Sequence, residues 1–174
     1  AKVPVGSNRL IYLPYLVGER TPHLDPFARG VFFGLSAVHT RHDMLRAVME
    51  GVTFALRDSL TIFNEANVTV DSMMACGGGA SSPLWRQMLA DVFNCTVLTA
   101  ESNEGGALGA ALLAAAGTGI YGSVGEACDA VIRIKEHCDP IPENVKKYEE
   151  LYSIYTNLYS KIKADCAALA AISL

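Results

Sequence analysis

The chain has 174 residues, carries a formal net charge of -4, and contains 51% hydrophobic and 18% charged residues. A chain of this length predicts one domain with a core of its own, and this balance of residues excludes intrinsic disorder. Proteins that bind the phosphate backbone of a nucleic acid normally carry a basic face. The acidic net charge therefore argues against a nucleic-acid partner.

The cysteines and the apolar segments indicate the compartment in which the protein works. The five cysteines include no CxxC pair, which argues against a disulfide framework and a zinc site, and we predict no metal ligands. Cys76 and Cys95 are expected in buried strands. The most apolar segment, "GGALGAALLAAAGTGIYG", is too short and too interrupted to span a membrane. We therefore expect a cytoplasmic protein with no membrane partner.

The first half of the chain predicts two strands and a long helix. The strands, residues 9–16 and 30–35, are separated by the loop "GERTPHLDPFARG", whose two prolines exclude a buried strand. A helix over residues 43–66 is predicted because apolar residues recur there at steps of three and four. Thr40 and Asp43 fit a capping box at its start. The predicted buried face comprises Leu45, Val48, Val52, Leu56, Leu60 and Phe63.

The second half alternates predicted strands and helices. The strand "VDSMMACGGG" leads into a helix with Ser82 as its N-cap and Pro83 as its first residue, and the strand "CTVLTA" leads into the small-residue helix "EGGALGAALLAAAG". Helices over residues 124–131 and 142–171 follow. The buried face of the last helix is predicted to comprise Tyr148, Leu151, Tyr155, Leu158 and Ile162. This order predicts an α/β fold with a mixed sheet flanked by helices.

Three consecutive glycines, Gly77, Gly78 and Gly79, end a predicted strand and precede a helix. Open α/β sheets bind ligands at this position, where glycine lets a ligand touch the main chain and the helix offers unpaired N–H groups. The turn has no lysine, which excludes a Walker-type phosphate loop. Two alternatives stay open. One is a plain strand-to-helix turn capped by Ser82, and the other is a Rossmann-like dinucleotide turn with Glu101 at the end of the next strand as its ribose-binding acid.

Several linked motifs resemble one protein family. The segment "GVFFGLSAVHTRHDMLRAVME" resembles a signature of the FGGY carbohydrate kinases, and "YLPYLVGERTPHLDPFARG" is similar to the preceding loop in the xylulokinase branch of that family. The segment "CGGGASSPLWRQMLADVFNCTV" resembles the family's adenosine motif, and "EGGALGAALLAA" resembles the helix that follows it. The resemblance covers essentially the whole chain, in order and at proper spacing.

The resemblance implies an actin-like ATPase (ribonuclease H-like) fold and a role as one half of an enzyme. Residues 1–174 would be the C-terminal, nucleotide-binding domain of a two-domain sugar kinase, partnered by an N-terminal domain outside this chain. The enzyme would transfer the γ-phosphoryl group of ATP, with Mg²⁺, to a sugar hydroxyl. D-xylulose is the expected sugar, with gluconate, ribulose, fuculose and glycerol as alternatives. A non-catalytic regulatory domain and a homodimer also stay open.

The resemblance further assigns roles to particular positions. The phosphate loops, metal-binding aspartates and catalytic base would all lie upstream of this chain, so the chain alone is predicted to be inactive. The loop "GERTPHLDPFARG" would face the interdomain cleft, and an ion pair between Asp25 and Arg29 is the alternative reading of those two residues. The nucleotide-binding residues would be Gly77, Gly78, Gly79, Ala80, Ser81 and Ser82. The cleft-loop candidates are Glu19, Arg20, Asp25 and Arg29.

Overall fold

The structure, a computed structural model, describes residues 3–102 and 105–172. Contacts within the chain divide it into two compact units. The first unit comprises Ala1–Val70, Asp91–Asn94 and Pro140–Leu174, and the second comprises Asp71–Ala90 and Cys95–Asp139. Among the helices of the described ranges, none is long and apolar enough to cross a bilayer.

The first unit contains a small antiparallel sheet and two long helices. Strands β1 (Ile11–Leu13) and β2 (Val31–Phe33) pair in a register that places Tyr12 opposite Phe32. Helices α1 (Arg41–Glu65) and α5 (Pro142–Ala170) complete the unit. Both strands are shorter than predicted. On one side of β1, Arg9 has a left-handed φ of 72°, and on the other side Pro14 follows directly and lacks the N–H that a ladder needs.

The capping box at the start of α1 is present as predicted. The Thr40 N–H donates to Asp43 Oδ2 at 2.7 Å, and the His42 N–H donates to Thr40 Oγ1 at 3.3 Å. The Thr40 hydroxyl also donates to Asp43 Oδ2 at 2.7 Å. These bonds favour the ionised carboxylate, and they lower the pKa of Asp43 to about 2.

The predicted buried face of α1 is wrong at three of its six residues, since Leu60 is buried and Val48 and Val52 are half-buried. Leu45, Leu56 and Phe63 are 63%, 49% and 54% exposed. The buried face lies on the other side of the helix because β1 approaches the backbone closely there. A Cβ on Gly51 would lie 2.2 Å from the Tyr12 carbonyl oxygen, so this contact requires a glycine. The residues buried on α1 are Asp43, Ala47, Glu50, Gly51, Thr53, Phe54, Asp58 and Leu60.

Aromatic rings from α5 fill the core of the first unit. Phe54 of α1 lies with its ring centroid 5.9 Å from that of Tyr148 and 5.2 Å from that of Tyr155. Both tyrosines are fully buried, and the Leu158 side chain is largely buried. Of the predicted inner face of α5, Tyr148, Tyr155 and Leu158 are buried, whereas Leu151 and Ile162 are half-buried. Large rings at this spacing along one helix contribute much of the apolar area that the unit buries.

The second unit contains a three-stranded sheet in the order β3-β4-β5. Strands β3 (Ser72–Met74) and β4 (Thr96–Ala100) are parallel, and β5 (Ile134–Cys138) is antiparallel to β4. This arrangement confirms the predicted mixed sheet. It is not the doubly wound parallel sheet that a dinucleotide-binding module requires.

Helices flank these strands. Helix α2 (Pro83–Phe93) begins at the predicted proline, and the Trp85 N–H donates to the Ser82 hydroxyl at a long 3.4 Å. Helix α3 (Gly105–Gly117) packs against α4 (Val124–Val131) and buries Leu112, whereas Leu113 is 61% exposed. Glu104, which begins the predicted helix, lies outside the described residues.

Candidate functional site

The three glycines form a compact turn at the carboxyl end of β3. The segment Gly78–Ser81 adopts one turn of 3-10 helix, in which the Ala80 N–H donates to the Gly77 carbonyl at 3.1 Å and the Ser82 N–H donates to the Gly79 carbonyl at 3.0 Å. The turn is exposed except for Ala80. Cys76 precedes the turn and is exposed, so the prediction that it lies in a buried strand is wrong. Cys95 is buried.

The three glycines differ in what the fold demands of them. Gly77 has a φ of +79°, a conformation that L side chains rarely adopt. A Cβ on Gly79 would lie 3.0 Å from the Trp85 ring, so a larger residue there would require the ring to shift by a few tenths of an ångström. Gly78 has neither restriction. Its φ lies outside the left-handed region, and an added Cβ would meet no described atom within 4 Å. The fold of the described residues therefore gives no reason for glycine at position 78.

A cavity of about 290 Å³ lies beside this turn, within the second unit. The turn contributes Ala80 and Ser81, while the other four predicted nucleotide-binding residues do not line the cavity. Arg86 of α2 supports the turn, because its Nη1 donates to the Ala80 carbonyl at 2.6 Å and its Nη2 bonds to Glu136 Oε2 at 2.6 Å. The residues that line the cavity are Ala80, Ser81, Pro83, Arg86, Thr99, Ala100, Glu101, Lys135 and Glu136.

A register shift in β5 brings two charged side chains to this cavity. Thr99 of β4 pairs with Glu136, and Ala100 pairs with Ile134, so that Lys135 is the extra residue. Successive side chains of a regular strand point to opposite faces, whereas a bulge re-aims them. Lys135 and Glu136 can therefore line one cavity although they are neighbours in sequence. The sequence analysis missed both residues, because a bulge leaves no recognisable pattern in a single sequence.

The loop of the first unit that was predicted to face a cleft is held by its own carboxylates. Glu19 and Asp25 exchange backbone hydrogen bonds of 2.8 Å in both directions. The Glu19 carboxylate accepts the N–H groups of Thr21 and His23 at 2.7 and 2.8 Å. Each of these bonds closes the loop on itself, so that Glu19 acts mainly on the shape of the loop.

Asp25 anchors the same loop to α5. Its Oδ1 accepts the Phe27 N–H at 2.8 Å, and its Oδ2 accepts the Tyr159 hydroxyl at 2.5 Å. The hydrogen bond from Tyr159 is the largest cause that lowers the pKa of Asp25. The His23 ring stacks on Tyr159 with centroids 3.9 Å apart. These contacts anchor the loop to α5.

The two arginines of the loop differ in their contacts. Arg29 Nη1 donates to the carbonyl groups of Pro26 and Ala28 at 2.9 and 2.8 Å. The alternative reading of an Asp25–Arg29 ion pair is wrong, because neither side chain bonds to the other. The Arg20 side chain is exposed and makes no hydrogen bond or ion pair with any described residue, while its backbone carbonyl accepts the Leu24 N–H at 3.1 Å. It lines a cavity of about 470 Å³ together with the apolar side chains of Val17, Leu24 and Pro26.

Within residues 3–102 and 105–172, no group of three or more His, Cys, Asp or Glu side chains is placed to hold a metal ion. The second unit offers instead a glycine turn, a cavity with both signs of charge and a helix N-terminus at Pro83.

A mixed sheet flanked by helices, with a bare turn after β3, is the arrangement of an actin-like ATPase domain, and solved kinase structures share it. The crystal structure of a ligand-bound xylulose kinase from Lactobacillus acidophilus matches with a TM-score of 0.87 and 32% identity, over 96% of this chain and 34% of that one. Residues 1–118 match the FGGY family of carbohydrate kinases, C-terminal domain. The chain belongs to this family.

The names of curated relatives of the chain refer to more than one sugar. A xylulose kinase of Bacillus subtilis (strain 168) is 45% identical over 161 residues, which cover 92% of this chain and 32% of the relative. A gluconokinase of the same strain is 38% identical over 158 residues, which cover 90% of this chain and 31% of the relative. The chain thus spans about a third of the length of these relatives.

Proposed function

We propose that residues 1–174 form the C-terminal, nucleotide-binding half of an ATP-dependent sugar kinase. Gly78 is the observation that carries this proposal. Neither its backbone conformation nor any described neighbour requires glycine, so a ligand that touches the main chain is the remaining physical reason. Membership of a carbohydrate kinase family makes the adenosine part of ATP the natural ligand.

The residues of the turn bind and orient the nucleotide and carry out no chemistry themselves. Gly77, Gly78 and Gly79 offer open main chain, and Ser81 and Ser82 offer hydroxyl groups next to the N-terminus of α2. Phosphoryl transfer depends on positioning and on charge stabilisation around the γ-phosphate. We propose that a preceding domain supplies the Mg²⁺ ligands and the base that accepts the proton of the sugar hydroxyl. The loop around Arg20 would then face the cleft between that domain and this chain.

D-xylulose is the sugar that we propose. The loop "YLPYLVGERTPH" resembles the xylulokinase branch, and xylulose kinases are among the relatives with more than 40% identity. D-gluconate is the second candidate, because a gluconokinase is also a relative. To distinguish the two sugars, the chain is joined to a preceding domain of the same family, and the rate of ADP release from ATP is compared with D-xylulose and with D-gluconate as the acceptor. Faster turnover of D-gluconate than of D-xylulose would overturn the choice of sugar and leave the kinase assignment intact.

The nucleotide proposal is tested on the chain itself. Isothermal titration with ADP is expected to give saturable binding of one equivalent. In an ADP-release assay with ATP, Mg²⁺ and D-xylulose, the chain alone is expected to show no sugar-dependent turnover. Failure to bind ADP at millimolar concentration would contradict the proposed nucleotide site, and sugar-dependent turnover would contradict the assignment of the base to another domain.

A further inference from the structure

Helix α1 has an apolar face on the side that points away from the core of the first unit. Phe54 of this helix is buried in that core. Leu45 and Phe63 lie nine residues before and after it, which is about two and a half helical turns, so both point to the opposite side. Both side chains are more than half exposed. The helix therefore presents large apolar side chains to the core and to the solvent at once.

The exposed side chains belong to a regular stripe along the helix, which we call the outer seam. It comprises Leu45, Met49, Val52, Leu56, Ser59 and Phe63. The positions follow one another at alternating steps of four and three residues, which is the spacing by which helices pack along a common line in a coiled coil. A surface helix of a globular protein normally has one apolar stripe and turns it to its own core. The second stripe of α1 is thus spaced to contact another helix.

The outer seam is symmetric about Phe54, and this symmetry fits a second copy of α1. Two copies that lie antiparallel, with the twofold axis at the level of Phe54, bring each seam residue opposite one that is equally far from the axis. The same surface then serves on both copies, as a twofold interface requires. The facing layers pair Leu45 with Phe63, Met49 with Ser59, and Val52 with Leu56.

Side-chain size favours the antiparallel arrangement over a parallel one. The antiparallel layers place the small Ser59 opposite the long, flexible Met49, which can fill the space beside it. Parallel helices would place Ser59 opposite Ser59 and Phe63 opposite Phe63. One layer would then be underfilled and another overfilled, and both defects are destabilising.

Charge does not oppose contact between two copies. The outer seam contains no ionisable side chain. Arg46 and Arg57, which flank it, are paired with carboxylates of their own chain, Glu50 and Glu149. Arg41 lies beyond one end of the seam, so antiparallel packing keeps its two copies at opposite ends of the interface. Two copies can therefore approach without bringing like charges together.

The area of the outer seam is enough for a weak dimer. The exposed parts of its side chains, with the neighbouring Ile62, give roughly 500 Å² of apolar surface on each copy. A specific interface needs about 1,000 Å² over both partners, and standard interfaces bury about 1,600 Å². We propose that α1 binds α1 of a second copy of this chain, antiparallel, along the outer seam. The inference uses neither the glycine turn nor the cavity beside it, so it stands independently of the proposed function.

Sedimentation equilibrium of the purified chain, from about 1 to about 500 μM, tests the proposal. The wild type is expected to dimerise with a dissociation constant of about 10–100 μM, since interfaces near the lower limit of area are weak. Leu56→Glu is expected to raise that constant at least about tenfold, because it places a carboxylate without a hydrogen-bond partner in the layer opposite Val52. Far-ultraviolet circular dichroism checks that the variant is folded.

The matched control is Ile154→Glu, which introduces the same charge on α5, outside the outer seam. Ile154 is 50% exposed and Leu56 is 49% exposed, so the two substitutions disturb the folded chain to a similar extent. The control is expected to dimerise as the wild type does. A wild type that stays monomeric at about 500 μM would overturn the proposal and leave the seam to a partner of another sequence. Equal dissociation constants for the wild type and a folded Leu56→Glu would place the interface elsewhere and also overturn it.

Mixing two variants tests the antiparallel register. A mixed dimer of Leu45→Glu and Phe63→Lys pairs the two introduced charges in one end layer and leaves the other end layer unchanged, whereas each homodimer places both of its charges against apolar side chains. Native mass spectrometry of an equimolar mixture is expected to show the mixed dimer above its statistical share.

An equimolar mixture of Leu45→Glu and Leu45→Lys is the control, because parallel packing would pair these two charges and antiparallel packing does not. This mixture is expected to show only the statistical share of mixed dimer. Preferential pairing in the control mixture, or a purely statistical first mixture, would overturn the antiparallel register.

Discussion

Glu50 offers the sharpest test of how the first unit is held together. Its carboxylate is 4% exposed and accepts hydrogen bonds from four groups. The donors are the Gly6 N–H at 2.9 Å, the Ser7 hydroxyl at 2.7 Å, Arg46 Nε at 2.8 Å and the Tyr148 hydroxyl at 2.9 Å. One carboxylate thus joins the segment before β1 to both long helices.

The Glu50→Gln variant keeps the shape of the side chain and removes its charge. Breaking a buried ion pair by removing one partner costs about 3–5 kcal/mol, because the remaining charge is left uncompensated. The amide oxygen can still accept the donors that now bond to Oε1, and the Ser7 hydroxyl can turn to accept from the amide nitrogen. We therefore expect a loss of about 2–3 kcal/mol in the free energy of unfolding, which is at or just below the lower limit of that range.

Urea unfolding followed by far-ultraviolet circular dichroism at pH 7 measures this loss. Glu149→Gln is the matched control, since Glu149 accepts two hydrogen bonds from Arg57 at 2.7 and 2.8 Å but its side chain is 48% exposed. Exposed pairs of this kind contribute less than about 1 kcal/mol. Equal losses in the two variants, or a loss below about 1 kcal/mol for Glu50→Gln, would refute the reasoning.

Three further predictions concern the same unit. Gly51→Ala is expected to lower the free energy of unfolding, measured with urea, by about 1–3 kcal/mol or more, because the added Cβ would clash with the Tyr12 carbonyl oxygen. The pKa of Asp43 is lowered to about 2 in the folded chain from its ordinary 3.8, so its contribution to the free energy of unfolding is present above pH 3.8 and lost as the pH falls towards 2. Asp43→Asn is therefore expected to flatten the acid limb of the plot of stability against pH. Arg20→Ala is expected to leave the melting temperature unchanged, whereas Asp25→Asn lowers it, because Asp25 anchors the loop and Arg20 does not.

One control variant and three contrary outcomes check these predictions. Gly109→Ala, in the middle of α3 with no described atom within 4 Å of the added Cβ, should be neutral or stabilising by up to about 1 kcal/mol. An equally harmless Gly51→Ala would mean that β1 does not lie as close to α1 as described. If stability falls with acid equally in the wild type and in Asp43→Asn, the Asp43 carboxylate of the capping box does not contribute to stability. A fall in melting temperature for Arg20→Ala would show that this side chain has structural contacts.

Local signals in the sequence predicted the local structure well. Proline, glycine and capping residues act within a few positions of the chain, so that the start of α2 at Pro83 and the capping box of Thr40 and Asp43 could be recognised. The alternation of strands and helices likewise predicted the mixed sheet. Features of this kind depend on the residues themselves and little on distant partners.

Features that depend on distant contacts could not be predicted. The inner face of α1 contains small and polar residues such as Gly51 and Glu50. They are buried because the Tyr12 carbonyl of β1 lies against Gly51 and the Tyr148 hydroxyl of α5 donates to Glu50. The apolar period of Leu45, Leu56 and Phe63 indicated the helix correctly and its buried face wrongly. At the candidate site, Lys135 reaches the cavity through a register shift that no single strand reveals.

The most direct test of the nucleotide site is ADP binding by Gly78→Ala. Because a Cβ at this position meets no described atom within 4 Å and the φ is ordinary, the free energy of unfolding is expected to stay equal or to rise by up to about 1 kcal/mol. ADP affinity is expected to fall at least about tenfold, since the methyl group would occupy the space in which the nucleotide touches the main chain. Unchanged ADP affinity in the folded variant would contradict the account.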